Sequence, residues 1–75
     1  MDADAIERVT REVVRTYAEM RGVSPTVRRE AQASREQYIL TYKAKVNLPG
    51  GKSMTRIVRV TADDRGRVQR ISTSR

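Results

Sequence analysis

Residues 38–60 read YILTYKAKVNLPGGKSMTRIVRV. The first run puts Tyr38, Leu40, Tyr42, Ala44, Val46 and Leu48 on one face of a strand. Ile39, Thr41, Lys43, Lys45 and Asn47 fall on the other, which is the period-two signature of a half-buried strand. Pro49-Gly50-Gly51 interrupts the alternation, with glycines able to take the positive φ of a tight turn. The second run then puts Met54, Val58 and Val60 on one face and Thr55, Ile57, Arg59 and Thr61 on the other. A three-residue loop pairs Val46 with Met54 and Tyr42 with Val58. Both apolar sets then share a face, and a slip of one residue would separate them.

Working outward, Asp2 or Asp4 can cap a helix on which Ile6, Val9, Val13, Tyr17 and Met20 form one apolar stripe. Glu7 with Arg11, and Glu12 with Arg15 or Arg8, are neighbours off that stripe. Gly22 is the expected helix stop. Residues 23–37, VSPTVRREAQASREQ, carry two signals. Ser24-Pro25 suits a helix start, whereas Val27, Ala31 and Ala33 alternate with Arg28, Glu30 and Gln32 as in a charged edge strand. The strand is preferred, because two small apolar contacts hold a second helix poorly. Asp64-Arg65-Gly66 predicts another tight turn before a last strand over Val68 to Thr73. There Val68 and Ile71 differ in parity, so either a bulge intervenes or Ile71 faces outward. The expected fold is a single small α+β domain over residues 1–75. Its N-terminal helix packs on one face of a three- or four-stranded antiparallel β-meander, in two layers.

Charge is divided unevenly along the chain. Residues 1–36 hold seven basic and seven acidic groups; residues 37–75 hold nine basic groups against Asp63 and Asp64 alone. The net charge of +7 therefore sits in the C-terminal half, and such segregation favours an anionic partner, nucleic acid or another polyanion. Solvated charge on exposed strand positions is the bland alternative. The acidic start MDADAIERV argues against a secretory signal, and no run is long and apolar enough to span a bilayer. The absence of cysteine fits a reducing compartment, so a cytoplasmic protein is expected.

With no His and no Cys, the commonest general base, the thiol nucleophile and the soft metal ligands are missing. Asp63-Asp64 reads as turn chemistry. Gly51-Lys52-Ser53 matches the end of a Walker loop, but Val46 stands where its first glycine belongs, and strands flank both sides. The tyrosines share faces with Leu40, Val46 or the helix stripe, which argues against an aromatic stacking platform. No enzyme activity and no cofactor are expected.

The candidate anion-binding residues are Lys43, Lys45 and Arg59 on the open sheet face, with Lys52, Arg65 and Arg67 at or beside the turns. Thr41, Thr55 and Thr61 on the same face, with Gln69 and Thr73 as further candidates, add donors of the kind phosphates accept. Ile39, Ile57 and Ile71 form a candidate interaction patch for a protein partner or a homodimer. Arg56 and Arg70 share parity with the core, so they must reach past the sheet edge, pair with Glu12 or Glu19, or signal a different register. The stretch VRVTADDRGRVQRIS, residues 58–72, resembles the final hairpin of small PepSY-type domains, whose last strands flank an acidic-glycine turn. The resemblance carries over no functional residue.

Overall fold

A computed structural model describes the backbone of residues 1–32 and 35–74 and the side chains of 1–31 and 36–73. The chain forms helix α1 (Ala3–Thr16), a 3₁₀ turn (Ala18–Met20), and strands β1 (Thr26–Gln32), β2 (Arg35–Leu48), β3 (Lys52–Ala62) and β4 (Val68–Ser74). The strands make one antiparallel sheet in the order β1-β2-β3-β4, a meander with the helix on one face. The α+β, two-layer expectation holds, with four strands.

The central hairpin has the register that its parity dictates. Val46 pairs with Met54, Tyr42 with Val58 and Leu48 with Lys52, which leaves residues 49–51 as the loop. Gly50 and Gly51 take φ of 83° and 76°, the left-handed conformation the turn needs. Residues 23–37 contain an edge strand, as preferred, but it is shorter and ends in a hairpin. β1 closes at Gln32, which pairs with Arg35, the first residue of β2. Ala33, expected in that strand, lies outside the described residues.

Asp2 caps α1, its Oδ1 accepting from the Ala5 N–H at 2.8 Å. Ala5, Val9 and Val13 are buried, and Ile6 packs at the margin of the core. The helix does not run on to Gly22. It stops at Thr16, where Tyr17 turns to φ −123°, ψ 86° while its N–H still bonds the Val13 carbonyl at 2.7 Å. The 3₁₀ turn that follows tightens the path, with the Met20 N–H on the Tyr17 carbonyl at 3.0 Å. That turn carries Met20 into the core, where it is completely buried. Gly22 serves the turn after it, at φ +79°.

Val9, Val13 and Met20 meet Tyr38, Leu40, Tyr42, Val58, Val60 and Ala62 in one cluster. Tyr42 is buried to the ring, and its hydroxyl shares a 2.8 Å hydrogen bond with Thr10 of the helix. Burial raises the pKa of that phenol, against a smaller opposite effect of the Thr10 bond, so it stays protonated. At the other end of the helix, Gly66 is buried at φ +85° in the β3–β4 turn. A Cβ there would lie 2.7 Å from the Ala5 carbonyl oxygen. Asp63 builds that turn: its Oδ1 accepts from the N–H groups of Arg65 and Arg67 at 3.0 and 2.8 Å.

The molecule measures 49 × 22 × 16 Å, and the length comes from the β2–β3 hairpin. Val46, Leu48 and Met54 lie beyond the residues that pack on the core, and Leu48 is 39% exposed. The hairpin thus projects past the helical layer as a two-stranded arm. Arg56 and Glu19, bonded at 2.9 Å, mark the place where the cover ends.

Candidate functional site

Strand pairing assigns every described sheet residue to a face. The helix side carries Val27, Arg29 and Ala31 of β1 and the apolar residues of β2 and β3. The open side carries Thr26, Arg28 and Glu30 of β1, then Ile39, Thr41, Lys43 and Lys45 of β2, and Thr55, Ile57, Arg59 and Thr61 of β3. β4 contributes by an irregular route. Val60 faces Ile71 and Thr61 faces Arg70, but Ala62 faces Val68, which leaves Gln69 as the extra residue of a bulge.

That bulge corrects the sequence reading at four residues. Ile71 belongs to the helix side and packs against the core, so it leaves the proposed apolar patch. Arg70 moves to the open side, opposite Thr61. Thr73, opposite Val58, sits on the helix side, and Gln69 lines a groove at the β3–β4 turn. The reason is that one inserted residue reverses the facing of everything on one side of it relative to the other. Val68 and Ile71 both reach the core only by this means.

The six residues picked for anion binding do not form one cluster. Lys43, Lys45 and Arg59 lie together on the open face, where Lys43 is opposite Ile57, Lys45 opposite Thr55 and Thr41 opposite Arg59. Lys52 is at the tip of the arm. Arg65 and Arg67 are at the other end, in a groove they share with Glu36, Asp63 and Asp64. The Arg67 Nε also donates to Asp63 Oδ2 at 2.9 Å. The Asp63 carboxyl is held below its usual range, chiefly by the Arg67 backbone N–H and then by its guanidinium. These two arginines complete a turn and belong to a different surface. Ile39 and Ile57 are half-buried on the open face but not adjacent: Ile39 is opposite Thr61 and Ile57 opposite Lys43, with the Thr41–Arg59 row between them.

The acidic residues are spent away from the open face. Asp2 caps the helix; Glu12 pairs with Arg15 at 3.6 Å, Glu19 with Arg56 at 2.9 Å, Glu36 with Arg29, and Asp63 with Arg67. On the open face Glu30 is the one carboxylate among the described side chains, and it pairs with Arg28 at 3.7 Å. Lys43, Lys45, Arg59 and Arg70 have no carboxylate partner among the described residues. Two residues along a strand span about 6.7 Å, so Lys43 and Lys45 repel each other weakly unless an anion lies between or over them. Sequence parity missed Arg70 as a member of this set, and no local signal marks the bulge beyond the clash of parity between Val68 and Ile71.

Comparison with known proteins finds no family model, no curated protein and no solved structure that matches the chain. The likeness of residues 58–72 to PepSY-type hairpins therefore rests on the Asp63–Gly66 turn pattern alone. Among the described residues, no helix is long and apolar enough to cross a membrane.

Proposed function

We propose that this chain is a non-enzymatic binding module that takes a polyanion, nucleic acid, on the open face of its sheet. The observation behind this reading is the sorting of charge. Carboxylates pair with Arg29 and Arg56 on the helix side of the sheet and with Arg67 of the turn, whereas Lys43, Lys45, Arg59 and Arg70 share the open face without a carboxylate partner among the described residues. From residue 37 to residue 62 the chain contains no acidic residue at all. Cations arranged over a flat sheet neutralise phosphates and release their counterions, so affinity falls steeply with salt. The cysteine-free composition favours the cytoplasm as the working compartment.

Fluorescence polarisation of a labelled oligonucleotide at 50 and 200 mM salt tests the reading. Binding at low salt should weaken at high salt by about tenfold or more if at least three phosphates are neutralised. Lys43→Glu with Arg59→Glu should remove it. No binding at 50 mM salt, or binding indifferent to that pair, rejects the proposal.

A second reading, self-association, is favoured by the underside of the arm. Val46, Leu48 and Met54 form an apolar strip beyond the helix, and chains of this size often gain stability by pairing. Sedimentation equilibrium separates the two readings: a mass that doubles with concentration and returns to the monomer in Leu48→Lys supports the strip.

A further inference from the structure

Resting on the nucleic-acid reading, we infer that one row across the sheet is a seat for a single backbone phosphodiester: Thr26, Thr41 and Arg59, flanked by Arg28. Strand register makes the row. Thr26 is opposite Thr41, Thr41 is opposite Arg59, and Arg59 is opposite Ser72, so hydroxyl, hydroxyl, guanidinium and hydroxyl follow one another across all four strands. Adjacent strands lie about 4.8 Å apart. Thr41 therefore stands within reach of both neighbours, and a tetrahedral oxyanion above it meets donors from two sides.

The surface over that row is concave. Thr26, Arg28, Ile39, Thr41 and Arg59 line a groove of about 340 Å³, and among the described residues no carboxylate contributes to its wall. Arg59 also lines a second groove of about 160 Å³ with Ile57, Ser72 and Thr73, so its side chain divides the two. Ile39, half-buried, supplies the apolar part of the groove lining. Glu30 holds Arg28 at 3.7 Å from the next row, which leaves the guanidinium donors beyond that contact for an incoming anion. Ionised phosphate oxygens accept from guanidinium forks and from hydroxyls, and such charge-assisted bonds are the stronger class.

The same face makes base readout poor. Recognition of single-stranded bases uses exposed rings. Here Tyr42 is wholly buried, Tyr38 is 9% exposed, and Tyr17 packs against the core. The ligand is thus defined by its sugar–phosphate chain, and the bases contribute little.

Polarisation at low salt with a labelled single-stranded 20-mer and a base-free deoxyribose-phosphate 20-mer tests this. The two probes should bind within about threefold of each other. Thr26→Val with Thr41→Val keeps β-branched shape and removes both hydroxyls; it should weaken both probes by roughly tenfold, the loss of one to two hydrogen bonds to a charged group. Thr26→Ser with Thr41→Ser should restore most of the binding, and thermal melts should show all variants folded. The inference is overturned if the valine variant binds like the parent while Lys43→Glu with Arg59→Glu still removes binding, an outcome that leaves the wider reading standing. It is also overturned if the base-free probe binds more than tenfold worse. Failure of the unmodified protein to bind either probe rejects both the seat and the nucleic-acid reading.

Discussion

The two faces of the sheet are made from the same strands, yet their charges have opposite fates. On the helix side, Arg56 lies under the 3₁₀ turn and bonds Glu19, and Arg29 pairs with Glu36. On the open side, Lys43, Lys45, Arg59 and Arg70 stand in solvent, with no carboxylate partner among the described residues. Arg56, 39% exposed beside the packed layer, loses hydration and is compensated by its carboxylate, whereas Arg29, 62% exposed on the edge strand, keeps most of its own. A cation on a face open to water needs no such partner. The difference teaches where binding free energy is available: the helix side is committed to stability, and the open side is free to engage a ligand.

Substitutions on the two sides should therefore separate stability from binding. Leu40→Ala, at a completely buried helix-side position, should lower unfolding free energy by about 2–5 kcal/mol in urea titration, with oligonucleotide affinity of the folded fraction unchanged. Gly66→Ala should cost roughly 2–4 kcal/mol, since it combines a positive φ with a clash against the Ala5 carbonyl. Gly50→Ala, also at positive φ but with nothing within 4 Å of its Cβ, should lose only about 1–2 kcal/mol. Equal losses at the two glycines would mean that the helix does not press on the β3–β4 turn.

Asp63 gives a smaller and pH-dependent effect. Its carboxyl is lowered in the folded chain, so its stabilisation is present above the unfolded value near 3.9 and is lost as pH falls through the lower folded value. Asp63→Asn should lower stability by about 1 kcal/mol at neutral pH and flatten that acid limb of the urea midpoint. The smallest change is expected on the open face. Lys43→Glu with Arg59→Glu should shift unfolding free energy by no more than about 0.5 kcal/mol while removing ligand binding. A large loss of stability there would mean that the open face also holds the fold.

The register of the central hairpin is legible in the chain because its cause is local. Alternation from Tyr38 to Leu48, the Pro-Gly-Gly loop and the parity of Val58 and Val60 leave a single pairing that keeps both apolar sets together. The same parity places Lys43, Lys45 and Arg59 on the opposite face. The fourth strand is harder. Val68 and Ile71 conflict by one residue, and only the contact of both with the core reveals that Gln69 is the insertion, which carries Arg70 to the cationic face. The helix end at Thr16 is likewise hidden, because the stripe continues to Met20 whether the chain is α-helical or turns tightly.

By itself the sequence determined the two-layer architecture, the hairpin register and the confinement of positive charge to the C-terminal half. Hydrophobic period and turn residues act between near neighbours, so they can be read without coordinates. Tertiary structure decided the long-range pairing, since Glu19, one of the two partners that the parity of Arg56 allowed, reaches it from 37 residues away. It also decided that Gly66 lies against the helix, that the β2–β3 hairpin outruns its cover, and that Thr26 comes level with Thr41 and Arg59. Each of these joins segments distant in the chain, and such contacts exist only once the layers have packed.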